Sequence, residues 1–475
     1  YGGYNNNYNY NNNHNNNYNN YNNNYYDDYN NNSNYHRSNT NYNNNYRDDY
    51  NKKNKQFNNQ KSFGYQKPQF KEVEIKDKSQ KEKYDKSEIP DYVKKINETI
   101  PDSQLKEFCE KDEKTIKLSE NECPINTNLM LYDISIAIKG PEEEMAYLEH
   151  PDYISIIRRG NTLMEIYKTV KGEYVYQDSI LIRKGMKKFI DLPYNFYREK
   201  TEEELKADEE EKKKKEEAEE EEEKKSIDKY TLNFDLDEEK KSTLKYIFYP
   251  VLQELENDFY IEVIKLMKAN GENAQISYVK RYNFWVIASK NVCLLAENRD
   301  DLKYYPPNAK NGNPTRYSFA YKIGQCWFDI LQNFSKEEIN KIKEYLNGKT
   351  FVGEYVGNQY HQHLIRYMKH TILFFGIVVN DSCDSSIPVI EAFEKFKEFK
   401  LDVVPYEYIG VAESFDELCG ILKKLYVRIA ESSIIDEEEG SVIYLSRTFA
   451  SHFDSHKKFR EEDKILSLCK LKTWE

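Results

Sequence analysis

The chain has 475 residues, 32% of them charged, and a formal net charge of −12. That balance excludes a uniformly basic nucleic-acid binder, although local acidic runs supply much of it and leave basic segments elsewhere. No apolar run is long enough to cross a bilayer and no signal peptide is visible, so the sequence predicts an intracellular protein, cytoplasmic or nuclear, with no membrane partner.

Residues 1–66 are rich in Asn and Tyr. Without aliphatic side chains such a tract buries too little surface to offset the entropy of ordering, which predicts a disordered low-complexity tail. Its tyrosines suit protein partners, a condensate or RNA held by stacking, and the plainer reading is a neutral tract expansion. Residues 67–88 read as a charged linker and 89–475 as the folded domain. The chain begins on Tyr1 without Met and stops at Glu475, as a fragment would. A helix is expected over 92–108, and strands over 130–138, 162–169, 173–177 and 179–182. A basic segment follows, Arg183-Lys184-Gly185-Met186-Lys187-Lys188-Phe189-Ile190-Asp191. Residues 201–225 form a Glu/Lys run whose (i, i+4) pairs favour a solvated helix with no apolar face, hence an insertion at about 200–226.

An apolar strand is expected over 259–267, ending on Lys268-Ala269-Asn270-Gly271-Glu272. Strands over 274–279 and 284–289 come next, with Tyr282-Asn283 at the turn and Lys290 just past it. A lysine at a strand end, followed by Asn-Gly, sits where the backbone turns sharply and comes close to a ligand. A lysine amine is nucleophilic only when neutral, and neighbouring cations favour that form. Such a lysine can attack phosphorus and hold a nucleotide as a phosphoramidate.

Further on, 316–334 reads as a helix, and Ser335-Lys336-Glu337-Glu338 as a capping box opening the next one. The stretch 348–358 reads as a strand carrying Glu354 between glycines. His361 and His363 would share a strand face, but no third ligand accompanies them, so zinc is not expected. A nearly unbroken apolar strand, 371–379, carries Phe374 and Phe375. Residues 387–399 read as an amphipathic helix, and Ser414-Phe415-Asp416-Glu417 as a second capping box. Glu439 stands at the mouth of a strand, 447–463 is a polar loop, and Lys470 and Lys472 share one face of a strand over 464–472. The seven cysteines are scattered without zinc spacing, which predicts reduced, mostly buried thiols.

In this order the segments resemble the covalent nucleotidyltransferase superfamily of ATP-dependent polynucleotide ligases and mRNA capping enzymes. Lys268-Ala269-Asn270-Gly271 looks like its nucleotidyl-lysine motif, with Lys268 the nucleophile and Gly271 its closing glycine. Phe351-Val352-Gly353-Glu354 is similar to the motif whose Glu contacts the ribose. The segment around Phe374 and Phe375 is similar to the motif whose aromatic stacks on the purine, and strand alternation puts only one of the two in the pocket. Glu439-Gly440-Ser441-Val442 looks like the motif whose Glu helps hold divalent metal, and Lys470-Leu471-Lys472 like the one whose lysines grip the α-phosphate. Lys290 stands where many ligases carry Arg, and Lys cannot grip an anion bidentately.

The resemblance implies an α+β nucleotidyltransferase core, of the ATP-grasp-like ligase kind, with antiparallel sheets flanked by helices. It also implies ATP and Mg²⁺ or Mn²⁺ as cofactors. Lys188-Phe189-Ile190-Asp191 looks like a loose version of the Lys-Phe-Phe-Asn segment upstream of the lysine in phage-type RNA ligases, and no sequence follows the last motif, as in RNA ligases that lack a further domain. The expectation is an ATP-dependent RNA ligase acting on RNA ends, a 5′-phosphate and a 3′-OH. A capping-type guanylyltransferase using GTP and a non-catalytic RNA-binding scaffold are the alternatives.

Overall fold

The computed structural model of the chain describes residue 100 onward, apart from 139–141, 151–152, 154–155, 217–227, 258, 358–366, 368, 381–385, 433–439, 449–463 and 473–475. The tail 1–66, the linker 67–88, His361, His363 and Glu439 therefore lie outside the described residues. The first described helix, α1 (Asp102–Glu110), follows Pro101, whose extended backbone (ψ 143°) breaks the helix expected over 92–108. Strands β1 (Ile116–Glu122) and β2 (Leu129–Ile136), the short helix α2 (Glu142–Glu149), and strands β3 (Asn161–Val170) and β4 (Glu173–Arg183) come next. The four strands form an antiparallel sheet in the order β1-β2-β3-β4. The two strands expected over 173–182 are one strand with a register shift, so the pattern breaks at a bulge rather than at a turn.

From Arg183 the chain passes through the basic segment to β5 (Ile190–Asp191) and β6 (Tyr197–Glu199). The Glu/Lys helix α3 (Glu202–Glu216) is largely exposed, as its charge pattern predicts, and opens on a reciprocal Thr201–Glu204 cap. Its root is a ribbon of β6 with β7 (Tyr230–Leu232), tied to the core by Asp416, which accepts from the amides of Lys229 (2.6 Å) and Tyr230 (2.7 Å). Helix α4 (Glu238–Glu256) is absent from the sequence expectations. The consecutive run Tyr246-Ile247-Phe248-Tyr249 followed by an internal Pro250 hides its 3.6-residue period, yet Asp237 caps it and Leu244, Ile247, Phe248 and Val251 bury its inner face.

The lysine strand is β8 (Tyr260–Met267), followed by β9 (Glu272–Val279), β10 (Phe284–Ala288) and β11 (Cys293–Ala296). Helices α5 (Ser318–Leu331) and α6 (Lys336–Leu346) lead into β12 (Lys349–Val356) and β13 (Thr371–Val379). Helix α7 (Val389–Glu398), β14 (Tyr406–Ala412), α8 (Phe415–Ser432), β15 (Gly440–Thr448) and β16 (Lys464–Lys472) complete the fold. Both predicted capping boxes place their serines at helix starts: Ser335 with Glu338 on α6, and Ser414 accepting from the Glu417 amide (3.3 Å) on α8.

Two five-stranded sheets carry the core, ordered β11-β10-β9-β12-β13 and β14-β8-β15-β16-β5. Every described pairing within them is antiparallel except β5 with β16. The architecture is α+β with antiparallel sheets and flanking helices, and it has more sheets than the sequence suggests. Trp285, Trp327, Phe351, Phe374 and Phe396 pack the first sheet against its helices. Ile261, Val263, Ile443, Leu445, Cys469 and Leu471 face the cluster that holds α4 and α8. Burying each such large apolar side chain contributes about 1.5–3 kcal/mol.

A buried polar knot joins the four-stranded sheet to this core. Asp133 meets Arg183 at 3.4 Å and accepts from Thr162 Oγ1 (2.8 Å) and the Cys293 amide (3.1 Å). Arg183 also donates to the Ser289 carbonyl (2.7 Å), which fixes the strand end preceding Lys290.

Candidate active site

The two five-stranded sheets meet through Tyr444 of β15, whose hydroxyl reaches the Phe375 carbonyl of β13 at 3.4 Å. Alternation along β8 sends Ile261 and Val263 to the helix side and puts Ile264, Leu266 and then Lys268 on the side of the opposing sheet. Alternation along β16 does the same for Leu468 and Lys470, while Cys469 and Leu471 pack outward.

The loop after β8 is fixed at several points. The Lys268 amide donates to the Gly440 carbonyl at 3.0 Å, and the Asn270 amide to the Tyr367 hydroxyl at 2.9 Å. Gly271 is required by close approach: a Cβ there would lie 2.3 Å from the Tyr355 carbonyl and 3.0 Å from Glu354 Cγ. The sequence pattern Lys-x-x-Gly thus acquires a steric reason, since only glycine lets the lysine loop lie on β12.

Glu354 is the electrostatic centre. Desolvation pushes its carboxyl from the usual 4.5 up to about 8, against the opposing pull of Arg159, Lys268 and a hydrogen bond from the Gly271 amide, with Glu272 adding to the rise. Lys268, Gly271 and Glu354, from two separate predicted motifs, therefore share one small volume.

Phe374 and Phe375 diverge. Phe374 is fully buried on the helix side, stacked on Phe396 at 5.2 Å. Phe375 faces the other sheet, edge-on to Phe189 at 6.0 Å. Phe189, from the basic segment, also approaches Tyr444 at 6.4 Å, so that segment runs along the junction of the sheets. Lys184, Lys187 and Lys188 within it are all buried, and Lys470 pairs with Asp191 at 3.3 Å. Lys290 follows β10, with its carbonyl 2.8 Å from where a Gly160 Cβ would stand. Lys472 ends β16 on the parity of Lys470.

Arg159 is one residue the sequence did not flag. It lies in a loop before β3, where no periodicity marks it, and its carbonyl accepts from Gln275 Nε2 at 2.6 Å. Asn273 and Gln275, also not flagged, share the strand parity of Ser277 and line β9 beside Glu354 and Val352. Among the described residues no three His, Cys, Asp or Glu side chains group to hold a metal. A separate cavity of about 510 Å³, bordered by Lys322, Cys326, Tyr355 and Asp402, contains none of the predicted site residues. The six described cysteines are free and buried, and no helix among the described residues is long and apolar enough to cross a membrane.

No family model matches the chain, and no curated protein matches it. Among solved structures, the chain is similar to an archaeal ATP-dependent RNA ligase, at 10% identity and a TM-score of 0.36, covering 81% of this chain and 64% of that one. It is also similar to a Naegleria gruberi RNA ligase solved with pyrophosphate, at 10% identity and a TM-score of 0.27, covering 76% of this chain and 96% of that one. A variant of the same ligase solved with ATP and Mn gives 9% identity and a TM-score of 0.27 over the same shares. These similar structures are RNA ligases, and others of the Naegleria gruberi ligase hold AMP with Mn.

Proposed function

We propose that the chain is an ATP-dependent RNA ligase that works through a lysyl-AMP intermediate on Lys268. The observation that carries this reading is the convergence of Lys268, the Gly271 amide and Glu354 at the meeting of two sheets. A strand-end surface lysine would have no reason to sit within electrostatic reach of a desolvated carboxyl beside an obligatory glycine.

In the first step Lys268 Nζ forms a P–N bond to the α-phosphorus of ATP, pyrophosphate leaves, and the amine gives up a proton. In the second, a 5′-phosphate oxygen of RNA displaces Lys268, which breaks the P–N bond and gives AMP-RNA. In the third, a 3′-OH attacks that 5′-phosphate and AMP departs. Such transfers depend mainly on positioning and charge neutralisation. Lys470, Lys472 and Lys290 supply cations for the phosphates. Phe375, not Phe374, is the aromatic available to a purine, because Phe374 is sealed in the helix-side core. Glu354, protonated near neutral pH, has both a donor and an acceptor oxygen for a ribose hydroxyl.

The reading includes a divalent ion. Mg²⁺ takes one or two carboxylates together with substrate phosphates and water, not a cage of protein ligands. Glu439 would hold it, next in sequence to Gly440, whose carbonyl binds the Lys268 amide. When bound, the ion would neutralise phosphate charge.

The test is incubation with α-labelled ATP or GTP and divalent metal, followed by denaturing electrophoresis. A protein-bound AMP, together with joining of a 5′-phosphorylated RNA to a 3′-OH end, is expected. Labelling by GTP alone would transfer the reading to a capping-type guanylyltransferase, and no label from either would overturn both.

A further inference from the structure

The β3–β4 pair runs beyond the sheet that carries it. Strand β2 begins at Leu129, opposite Ile166, so the residues from Tyr167 to Tyr176 form a two-stranded arm past the last β2 pairing. Asn128 anchors its base, accepting from the Tyr167 amide (2.8 Å) and the Thr169 hydroxyl (3.0 Å); beyond that, such an arm is marginal in water and relies on its own cross-strand pairs. On one face of the arm these pairs are built on tyrosines. Tyr167 stands opposite Tyr176, and its ring meets Tyr176 and Tyr174 edge-on at 6.1 and 6.4 Å.

These tyrosines do not make a core. Tyr174 is 58% exposed and Tyr176 47%. Alternation puts Tyr167, Thr169, Tyr174 and Tyr176 on one face, while Lys168, Val170, Glu173 and Val175 take the other. The carboxylate on the tyrosine side of β3, Glu165, is buried and already bound by the Tyr167 hydroxyl (2.6 Å) and Lys106 (3.5 Å). The arm turns through Lys171 (φ 52°) and Gly172 (φ 89°). Both central residues of this two-residue turn need positive φ, a setting that favours Asn or Asp before Gly. A lysine in that conformation carries backbone strain, and it places an exposed cation at the tip.

We propose that this arm is a stacking platform for single-stranded RNA, with bases lying on Tyr174 and Tyr176 and the backbone drawn by Lys171. The choice of RNA as occupant rests on the ligase reading; the platform itself rests on the aromatic and charge pattern. Exposed aromatic faces accept any base, and a nearby cation supplies the attraction for phosphate. In a chain of net charge −12, the stretch Tyr167–Tyr176 carries two lysines against one glutamate. An apolar protein partner would instead favour aliphatic side chains on that face.

The test uses the full chain and a fluorescent single-stranded RNA read by anisotropy, with melting temperature and ATP-dependent labelling measured on each variant. Tyr174→Ala/Tyr176→Ala should weaken RNA binding about tenfold or more, as two lost base stacks require, with labelling at the wild-type rate. Tyr174→Phe/Tyr176→Phe should bind like wild type, because the ring face is what stacks. Lys171→Ala should lower the slope of log affinity against log salt by about one. Unchanged RNA affinity in the double alanine variant would overturn the proposal. So would loss of affinity in the phenylalanine variant, or disappearance of the alanine effect when residues 1–66 are deleted, since the arm would then be a seat for the tail. Failure of wild-type labelling with normal RNA results would sink the ligase reading and leave the platform standing.

Discussion

Along β9 and β12 the two faces of the sheet β11-β10-β9-β12-β13 are made from the same strands and differ in character. Toward the helices, β9 and β12 present Ala274, Ile276, Tyr278, Phe351 and Tyr355, packed on Trp327, Phe374 and Phe396. On the other face they present Asn273, Gln275, Ser277, Thr350 and Glu354, with Val279 and Val352 the apolar exceptions. The first face supplies apolar burial and the second a polar surface in which each group is held by a neighbour. Ser277 Oγ donates to the Lys349 carbonyl at 2.6 Å, and Thr350 Oγ1 to Asn380 at 2.8 Å. On the proposed reading, chemistry and stability fall to alternate residues of one strand. Single substitutions should therefore separate them.

The largest separation is expected at the lysine. Lys268→Ala should abolish covalent nucleotide while leaving the protein folded, because backbone amides and the close approach of Gly271 also hold the loop. The same variant should still join a pre-adenylylated RNA, which no longer needs the lysine as nucleophile.

On β16 the contrast runs between neighbours. Lys470→Ala should slow labelling about a hundred- to a thousandfold, the usual cost of one preorganised charge donor, and Lys472→Ala should do likewise. Leu471→Ala should cost about 2–5 kcal/mol of stability with little change in the labelling rate of the folded fraction. Chemical denaturation and initial labelling rates, taken together, would merge the two classes if the strand were not split in this way.

Adjacent aromatics on β13 sharpen the point. Phe374→Ala should destabilise by about 3–5 kcal/mol, since it empties the stack against Phe396. Phe375→Ala should be milder in denaturation but weaken ATP binding about tenfold or more, one base–aromatic stack being worth about 1–3 kcal/mol. Equal losses of ATP affinity in both variants would break the comparison.

A further separation is one of pH. The native Glu354 carboxyl holds its proton up to about 8 whereas the unfolded one releases it near 4.5. Between those values the native state binds more protons, so this residue makes stability fall as pH rises, by up to about 1.4 kcal/mol per unit. Glu354→Gln should flatten that dependence. Urea midpoints at pH 5, 6.5 and 8 that fall equally in both proteins would place the titration elsewhere.

How much of this was legible follows from the same alternation. The runs around β8, β12, β13 and β16 are apolar enough to read as strands, and their parity already separates Lys470 from Leu471 and one phenylalanine from the other. The choice of Phe375 needed the opposing sheet, because parity alone does not say which side the helices cover. Arg159 was not legible: it acts through the fold, from a loop more than a hundred residues upstream of Lys268. Helix α4 was hidden by Pro250 and an unbroken aromatic run, and the register shift in β4 divided one strand into two apparent ones. Gly271 was legible as a motif position but not in its reason, which is the carbonyl of Tyr355 on a strand eighty residues away.

The central claim is that Lys268 carries the nucleotide. Incubation of the wild-type chain with ATP and divalent metal, proteolysis, and mass mapping of the modified peptide tests it directly. An AMP increment on Lys268, lost in acid as a phosphoramidate should be, is the predicted result. An AMP increment on any other residue, or an unmodified Lys268 in protein that has released pyrophosphate from ATP, would contradict it.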